Sequence, residues 1–158
     1  MGVYEVTIRE QIAASPERVF AVASDFANAP KAIPGILRVE MLTPGPVGVG
    51  TRFRETRKMF GKEASEEMTV AEIEPPRRYL LTAESHGSRY RTEFRFEPEA
   101  AGTEVVMTFR GEPLTAFAKV MTFVMKPMIK SIAKLCARDL ADLKRSIEGE
   151  GSAQSARA

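Results

Sequence analysis

Apolar and polar residues alternate from Val3 to Ile12, with Tyr4, Val6, Ile8 and Ile12 on one side and Thr7, Arg9 and Gln11 on the other. A period of two predicts a strand with one wet face. Ser15-Pro16-Glu17 then opens a helix: serine accepts an orphan amide, proline sits where a missing N–H costs nothing, and the acid meets the positive end of the dipole. This helix is expected to reach about Phe26 and to bury Val19, Ala23 and Phe26. Pro30 and Pro34-Gly35 leave room only for a second short helical piece before a strand over 36–42. Residues 44–50, rich in proline and glycine, read as a loop. No Lys-Ser/Thr follows those glycines and no helix opens after them, so a phosphate-binding loop does not fit.

From Thr51 onward, Gly61, Pro75-Pro76, Gly87 and Gly102 divide the chain into short alternating runs over 51–59, 63–73, 78–85, 89–96 and 103–110. Strands at such spacing predict an antiparallel meander, about seven strands with the two before it. Tyr90, Thr92, Phe94 and Phe96 face one way, and Val105, Met107 and Phe109 repeat the pattern, while Arg89, Arg91, Glu93 and Arg95 face solvent. The last quarter changes period. Ile129, Ile132, Cys136, Leu140, Leu143 and Ile147 recur at three and four, the stripe of a helix lying on a sheet. Pro127 should break it into a shorter segment, 114–125, and a main helix, 127–147. Residues 149–158 are small and polar and are expected to be a disordered tail. The rest, 1–148, reads as a single domain.

Composition narrows the class. With 158 residues, a formal charge of +2 and 44% hydrophobic residues, neither disorder nor a dedicated nucleic-acid binder is implied. No apolar run has the length of a membrane span and the start shows no signal-peptide core. The single cysteine, Cys136, excludes an intramolecular disulfide and fits a reducing, cytoplasmic setting. Cys136 reads as a small buried hydrophobe and His86, beside Gly87, as an exposed turn residue. One histidine and one cysteine on different elements assemble neither a zinc set nor a triad, and no cofactor is expected.

The inner face of the sheet and the helices supplies an apolar set: Phe53, Met68, Leu81, Phe94, Met107, Phe109, Phe117, Met121, Met125, Met128 and Ile132. Eight methionines and no tryptophan make either an adaptable pocket wall or the filling of an irregular core. Phe53, Glu55, Arg57 and Met59 share one strand face, Glu66 is in phase with Met68, and Tyr90 and Thr92 offer hydroxyls. Two readings are open. If these charges face a cavity they must pair or meet a ligand, and the cluster suits a carbonyl or enolate oxygen, with Arg57 as donor and a glutamate as base. Otherwise the strand lies near an open edge and the charges pair in solvent. Glu10, in phase with Ile8 and Ile12, is a further inward candidate. Lys126, Lys130, Lys134 and Arg138 step by four; they form either a solvated helix face or a docking surface for an anionic membrane or acidic protein.

Several motifs fall in a specific order: the proline-started helix, Ile33-Pro34-Gly35-Ile36, the Gly-Val-Gly-Thr turn at 48–51, Glu74-Pro75-Pro76-Arg77-Arg78, Gly102-Thr103 and the closing Leu140-Ala141-Asp142-Leu143-Lys144. Over residues 3 to about 148 this order resembles the polyketide cyclase/dehydrase branch of the START-related, pollen-allergen-like (SRPBCC) superfamily. The resemblance implies an α+β helix-grip fold, with a seven-stranded curved antiparallel sheet wrapped round a long C-terminal helix, two short helices after strand one, and a ligand cavity between. It implies a small hydrophobic ligand of polyketide, aromatic, lipid or isoprenoid type. Alternatives are a metal-free aromatase/cyclase or dehydratase, with Arg57, Glu55 and Tyr90 as the catalytic candidates, and a lipid or quinone chaperone that docks on membranes.

Overall fold

The computed structural model describes residues 3–59 and 61–157, with side chains as far as residue 150. The chain runs β1 (Tyr4–Ile12), α1 (Pro16–Ala23), a single 3₁₀ turn (Phe26–Asn28), α2 (Ala29–Ala32), β2 (Ile36–Met41), β3 (Arg52–Met59), β4 (Lys62–Glu74), β5 (Arg78–Ser85), β6 (Ser88–Glu99), β7 (Gly102–Pro113), α3 (Ala116–Val124) and α4 (Met128–Arg157). One seven-stranded sheet has the order β1-β7-β6-β5-β4-β3-β2, and every neighbouring pair is antiparallel. Strands two to seven are the meander that the turn spacing predicts. Only β1 departs from chain order, pairing with β7 in the register Tyr4 to Gly111 through Ile12 to Thr103. This is the helix-grip fold.

Ser15 caps α1 as its sequence implies, its hydroxyl accepting from Arg18 N at 3.3 Å. The helix ends at Ala23, short of the predicted Phe26. Ser24 Oγ donates back to Phe20 O at 2.7 Å, the local side-chain bond with which serine competes with helical continuation. Phe26 is buried all the same, carried inward by the 3₁₀ turn. Pro127 separates α3 from α4 as expected. The main helix, α4, spans Met128–Arg157.

The sheet curves over α4. In β4, Val70 pairs with Leu81 and Glu72 with Leu80, leaving Ala71 as the extra residue of a bulge. The bulge bends the strand and brings Val70 and Ile73 to the same inner side. At one end of the groove thus formed, α1 and the 3₁₀ turn close a core of Ile12, Phe20, Phe26, Phe53, Tyr79, Phe96, Leu140, Leu143 and Ile147. The convex face carries exposed pairs, Arg54 with Glu40 and Glu67 at 3.0 and 3.2 Å among them. Ion pairs of this kind add little stability and mark the solvated side. No helix among the described residues is long and apolar enough to cross a membrane.

Candidate functional site

Next to the core, between the concave sheet, the α1–α2 segment and α4, lies a cavity of about 430 Å³. This is within the ~300–1,000 Å³ range of small-molecule sites. Its wall includes Phe53, Glu55, Arg57, Glu66, Met68, Leu81, Tyr90, Thr92, Phe94, Met107, Phe109 and Ile132, all predicted from strand or helix phase. The strand pattern predicts inward residues well because side chains two apart share a face.

Glu55 and Arg57 settle the choice between cavity and edge. β2 lies outside β3, so β3 is not an edge strand, and both side chains point into the cavity. Arg57 Nε donates to Glu55 Oε1 at 2.9 Å and Nη1 to Asp139 Oδ2 on α4 at 3.0 Å. The three side chains are only 18%, 13% and 15% exposed. Burial alone would lower the Arg57 pKa, but the two carboxylates outweigh it and hold the guanidinium above its ordinary value. Burial pushes the Asp139 carboxyl up, with Arg57 opposing. The expectation of Arg57 as a free donor for a ligand oxygen therefore changes: its charge is already shared between two protein carboxylates that tie sheet to helix.

A second polar group lies across the wall. The Tyr4 ring crosses the backbone of Gly111, where a Cβ would collide with it; glycine is what lets the ring reach the cavity. Tyr4, Phe109 and Tyr90 follow one another at centroid separations of 6.1 and 5.7 Å. Burial, Tyr90 and Glu66 together push the Tyr4 hydroxyl up to about 12, and burial raises Tyr90 as well. Glu66 is raised by burial first and by the nearby Glu55 second, with His86 and Arg57 opposing. Tyr4 and Tyr90 thus offer two hydroxyls facing the apolar wall, beside the Glu66 carboxyl, which holds its proton more tightly than an ordinary glutamate.

Four predicted wall residues lie elsewhere. Phe117 and Met125 are exposed and Met121 and Met128 half-buried, and none of them lines the cavity. α3 turns its small and polar side, Ala118 and Thr122, to the protein and its large apolar side outward, the reverse of the usual amphipathic pattern, and the helix leans on β7 rather than over the groove. Glu10 does not line the cavity either; its Oε1 accepts from Gln11 N. Cys136 is buried at the wall and its thiol is pushed up to about 11, by burial first and then by Asp139, so it remains a protonated small hydrophobe. His86 is exposed at the hairpin tip, as predicted, and its position is also the cavity rim. Lys126, Lys130, Lys134 and Arg138 are all exposed.

Among the site residues that were missed, Tyr4 and Asp139 each left a signal. Tyr4 is in phase with Val6, Ile8 and Ile12, and lies opposite a strand glycine. Asp139 is three residues after Cys136 and four before Leu143, a charge inside the apolar stripe of α4.

A family described as polyketide cyclase/dehydrase and lipid transport matches residues 4–148. The chain belongs to this family. No curated protein matches it, but solved structures show the same fold. TTHA0849 of Thermus thermophilus is 22% identical with a TM-score of 0.73, over 93% of this chain and 99% of that one. The Zhui aromatase/cyclase of Streptomyces sp. R1128 is 18% identical with a TM-score of 0.66, over 90% and 95%. The di-domain aromatase/cyclase StfQ of the steffimycin pathway is 12% identical with a TM-score of 0.79, over 95% of this chain and 52% of StfQ. Family membership and shared fold support a hydrophobic-ligand or cyclase-type scaffold; at these identities the neighbours bear on fold alone.

Proposed function

We propose that the cavity takes up a neutral, mainly apolar ligand bearing hydroxyl or carbonyl oxygens, of polyketide, aromatic, lipid or isoprenoid type, in the cytoplasm. The observation that carries this reading is the charge pattern of the wall: Glu55, Glu66 and Asp139 against the single guanidinium of Arg57. An anionic head group would meet an excess of carboxyls and a cation already paired, at a cost that low-dielectric surroundings magnify. A neutral oxygen instead meets the hydroxyls of Tyr4, Tyr90 and Thr92, beside the Glu66 carboxyl, which takes up a proton more readily than an ordinary glutamate. Calorimetric titration with a dihydroxyanthraquinone and with its carboxylated counterpart tests this. The neutral compound should bind at least about tenfold tighter, a difference of ~1.4 kcal/mol; tighter binding of the carboxylate would overturn the reading.

A second reading, a metal-free polyketide cyclase or dehydratase, is favoured by Glu66. A carboxyl with a raised pKa beside two phenols is suited to exchanging protons with an enolisable chain. Glu55, ion-paired, is the weaker candidate for that role, and Tyr90 keeps its place as an oxygen-holding group. Incubation with poly-keto thioesters separates the readings: turnover lost in Glu66→Gln and kept in Phe117→Ser supports catalysis, whereas tight binding without turnover supports a carrier.

A further inference from the structure

We propose that α3 and the start of α4 form a docking face for an anionic lipid surface, with the outer side of α3 inserting among the acyl chains. On α3, Ala118, Met121 and Thr122 face the protein, and Ala118 is 4% exposed. The opposite side presents Phe117, Val120, Phe123 and Val124, exposed at 73%, 61%, 78% and 63%. Four large apolar side chains on one exposed ridge are not what a surface helix of a free-standing soluble domain carries, since contiguous patches of this kind mark interaction sites. Helical spacing makes the face continuous: 117, 120 and 124 stack at three and four, with 123 beside them. The C-terminal end of α4 does not cover it. That end lies by α1 at the far side of the molecule, where Glu150 pairs with Arg18 at 3.0 Å.

Charge identifies the occupant. Between Leu114 and Arg138 the chain has five basic residues, Lys119, Lys126, Lys130, Lys134 and Arg138, and no aspartate or glutamate. In a chain with 21 acidic residues in 158, and with pairs of opposite charge across its convex sheet face, this acid-free stretch is a local exception. The five are exposed and none has a carboxylate partner among the described residues. A second copy of the chain docked through the same ridge would bring these like charges together, which is unfavourable. An anionic lipid leaflet accepts both parts, apolar side chains below the headgroups and lysines among them. The placement also favours transfer of a ligand, a consequence that rests on the proposed cavity function. The α3 cap, Thr115, packs against Gly87 of the rim hairpin, and Leu114 N donates to Gly87 O at 2.8 Å, so docking brings the cavity rim close to the leaflet.

The chain has no tryptophan, so Val124→Trp makes a single reporter whose emission shifts blue on insertion. It is titrated with phosphatidylcholine vesicles with and without phosphatidylglycerol, at low and high salt. The expected result is insertion into the anionic vesicles only, weakened by salt because exposed charges are screened within a Debye length of ~8 Å at physiological strength. Added to the reporter, Phe117→Ser/Phe123→Ser and Lys126→Glu/Lys130→Glu should each weaken partitioning at least about tenfold, with unchanged circular dichroism because all four positions are exposed. Three outcomes overturn the proposal: no blue shift at low salt, equal binding to neutral vesicles, or a dimer in sedimentation velocity that Phe117→Ser/Phe123→Ser abolishes while vesicles are ignored. None of these depends on the ligand, so failure here leaves the cavity reading standing, and failure of the ligand titration leaves this one.

Discussion

Under α1 the groove between sheet and helix is filled with rings, whereas under the first turns of α4 the same sheet encloses a hollow. At the filled end Phe20 meets Phe96 edge-on at 5.4 Å, and Phe26, stacked on Phe53 at 4.5 Å with Tyr79 against it at 5.4 Å, forms the boundary whose other side lines the hollow. At the hollow end the corresponding strand positions hold Ala64, Glu66, Ala83, Ser85 and Thr92. Backbone architecture is shared, so side-chain size and charge decide which end is solid. Small residues leave space, and ionised or polar ones resist the collapse that would fill it. Along α4 the two roles overlap only in part: Ile147 is buried in the core and does not line the cavity, Leu140 and Leu143 belong to both, and Ile132 lines the cavity and packs at the edge of the core.

The largest effect expected from breaking this contrast comes from trimming matched side chains on α4. Ile147 is 1% exposed in the core and lies outside the cavity wall, and Ile147→Ala should cost about 3 kcal/mol in urea denaturation. Ile132→Ala enlarges a space that already exists and should cost only about 1 kcal/mol. Equal costs would mean that the hollow is closed in solution.

Arg57 comes next. Its removal leaves Glu55 and Asp139 facing one another with no cation between, so Arg57→Leu should lose about 2 kcal/mol, below the full range for a wholly buried pair. Neutralising the partners as well, with Glu55→Gln/Arg57→Met/Asp139→Asn, should recover most of that loss. If Arg57→Leu were neutral to stability and harmful only to ligand binding, Arg57 would be a ligand donor after all.

The sequence conveyed the sheet well and the site unevenly, for reasons visible in particular residues. Period two placed Phe53, Glu55 and Arg57 on one face, because pleating admits only two directions. Nothing in that pattern tells which element closes the groove opposite them, so the partner of Arg57, Asp139 on a helix 82 positions away, needed the tertiary fold. α3 went wrong for the complementary reason. Its large apolar residues do share one side, but that side is the exposed one, so the ordinary rule that the apolar side faces the core points the wrong way. Hydrophobicity alone assigns Phe117 and Met125 inward, and packing on β7 turns them outward.

Glu66 gives the contrast a pH signature. Its folded pKa is raised above the ordinary 4.5 by burial and by Glu55, so the folded state holds the proton more tightly than the unfolded chain. Stability must then fall as pH rises from about 4.5 through the raised folded value, and stay lower above it. Glu66→Gln removes this liability. The variant should match the parent below about pH 4, where both side chains are neutral, and become the more stable of the two as pH rises. An unchanged difference across that range would place the Glu66 carboxyl in solvent.

The smallest expected effect is at the rim. His86 and Gly87 form the two-residue turn between β5 and β6 with φ of 51° and 77°, the positive pair that a tight antiparallel hairpin needs. For an imidazole-bearing residue that conformation is uphill, and asparagine adopts it more readily because its short amide bonds locally. Gly87 cannot share the burden, since a Cβ there would come within 2.8 Å of Thr115 Oγ1, so the cost falls on His86. His86→Asn should therefore stabilise the protein by a few tenths of a kcal/mol, readable as a small rise in denaturant midpoint without a change in slope. A loss of stability instead would mean that the imidazole makes compensating contacts at the cavity mouth, and that the hollow end, like the filled one, is held by its side chains.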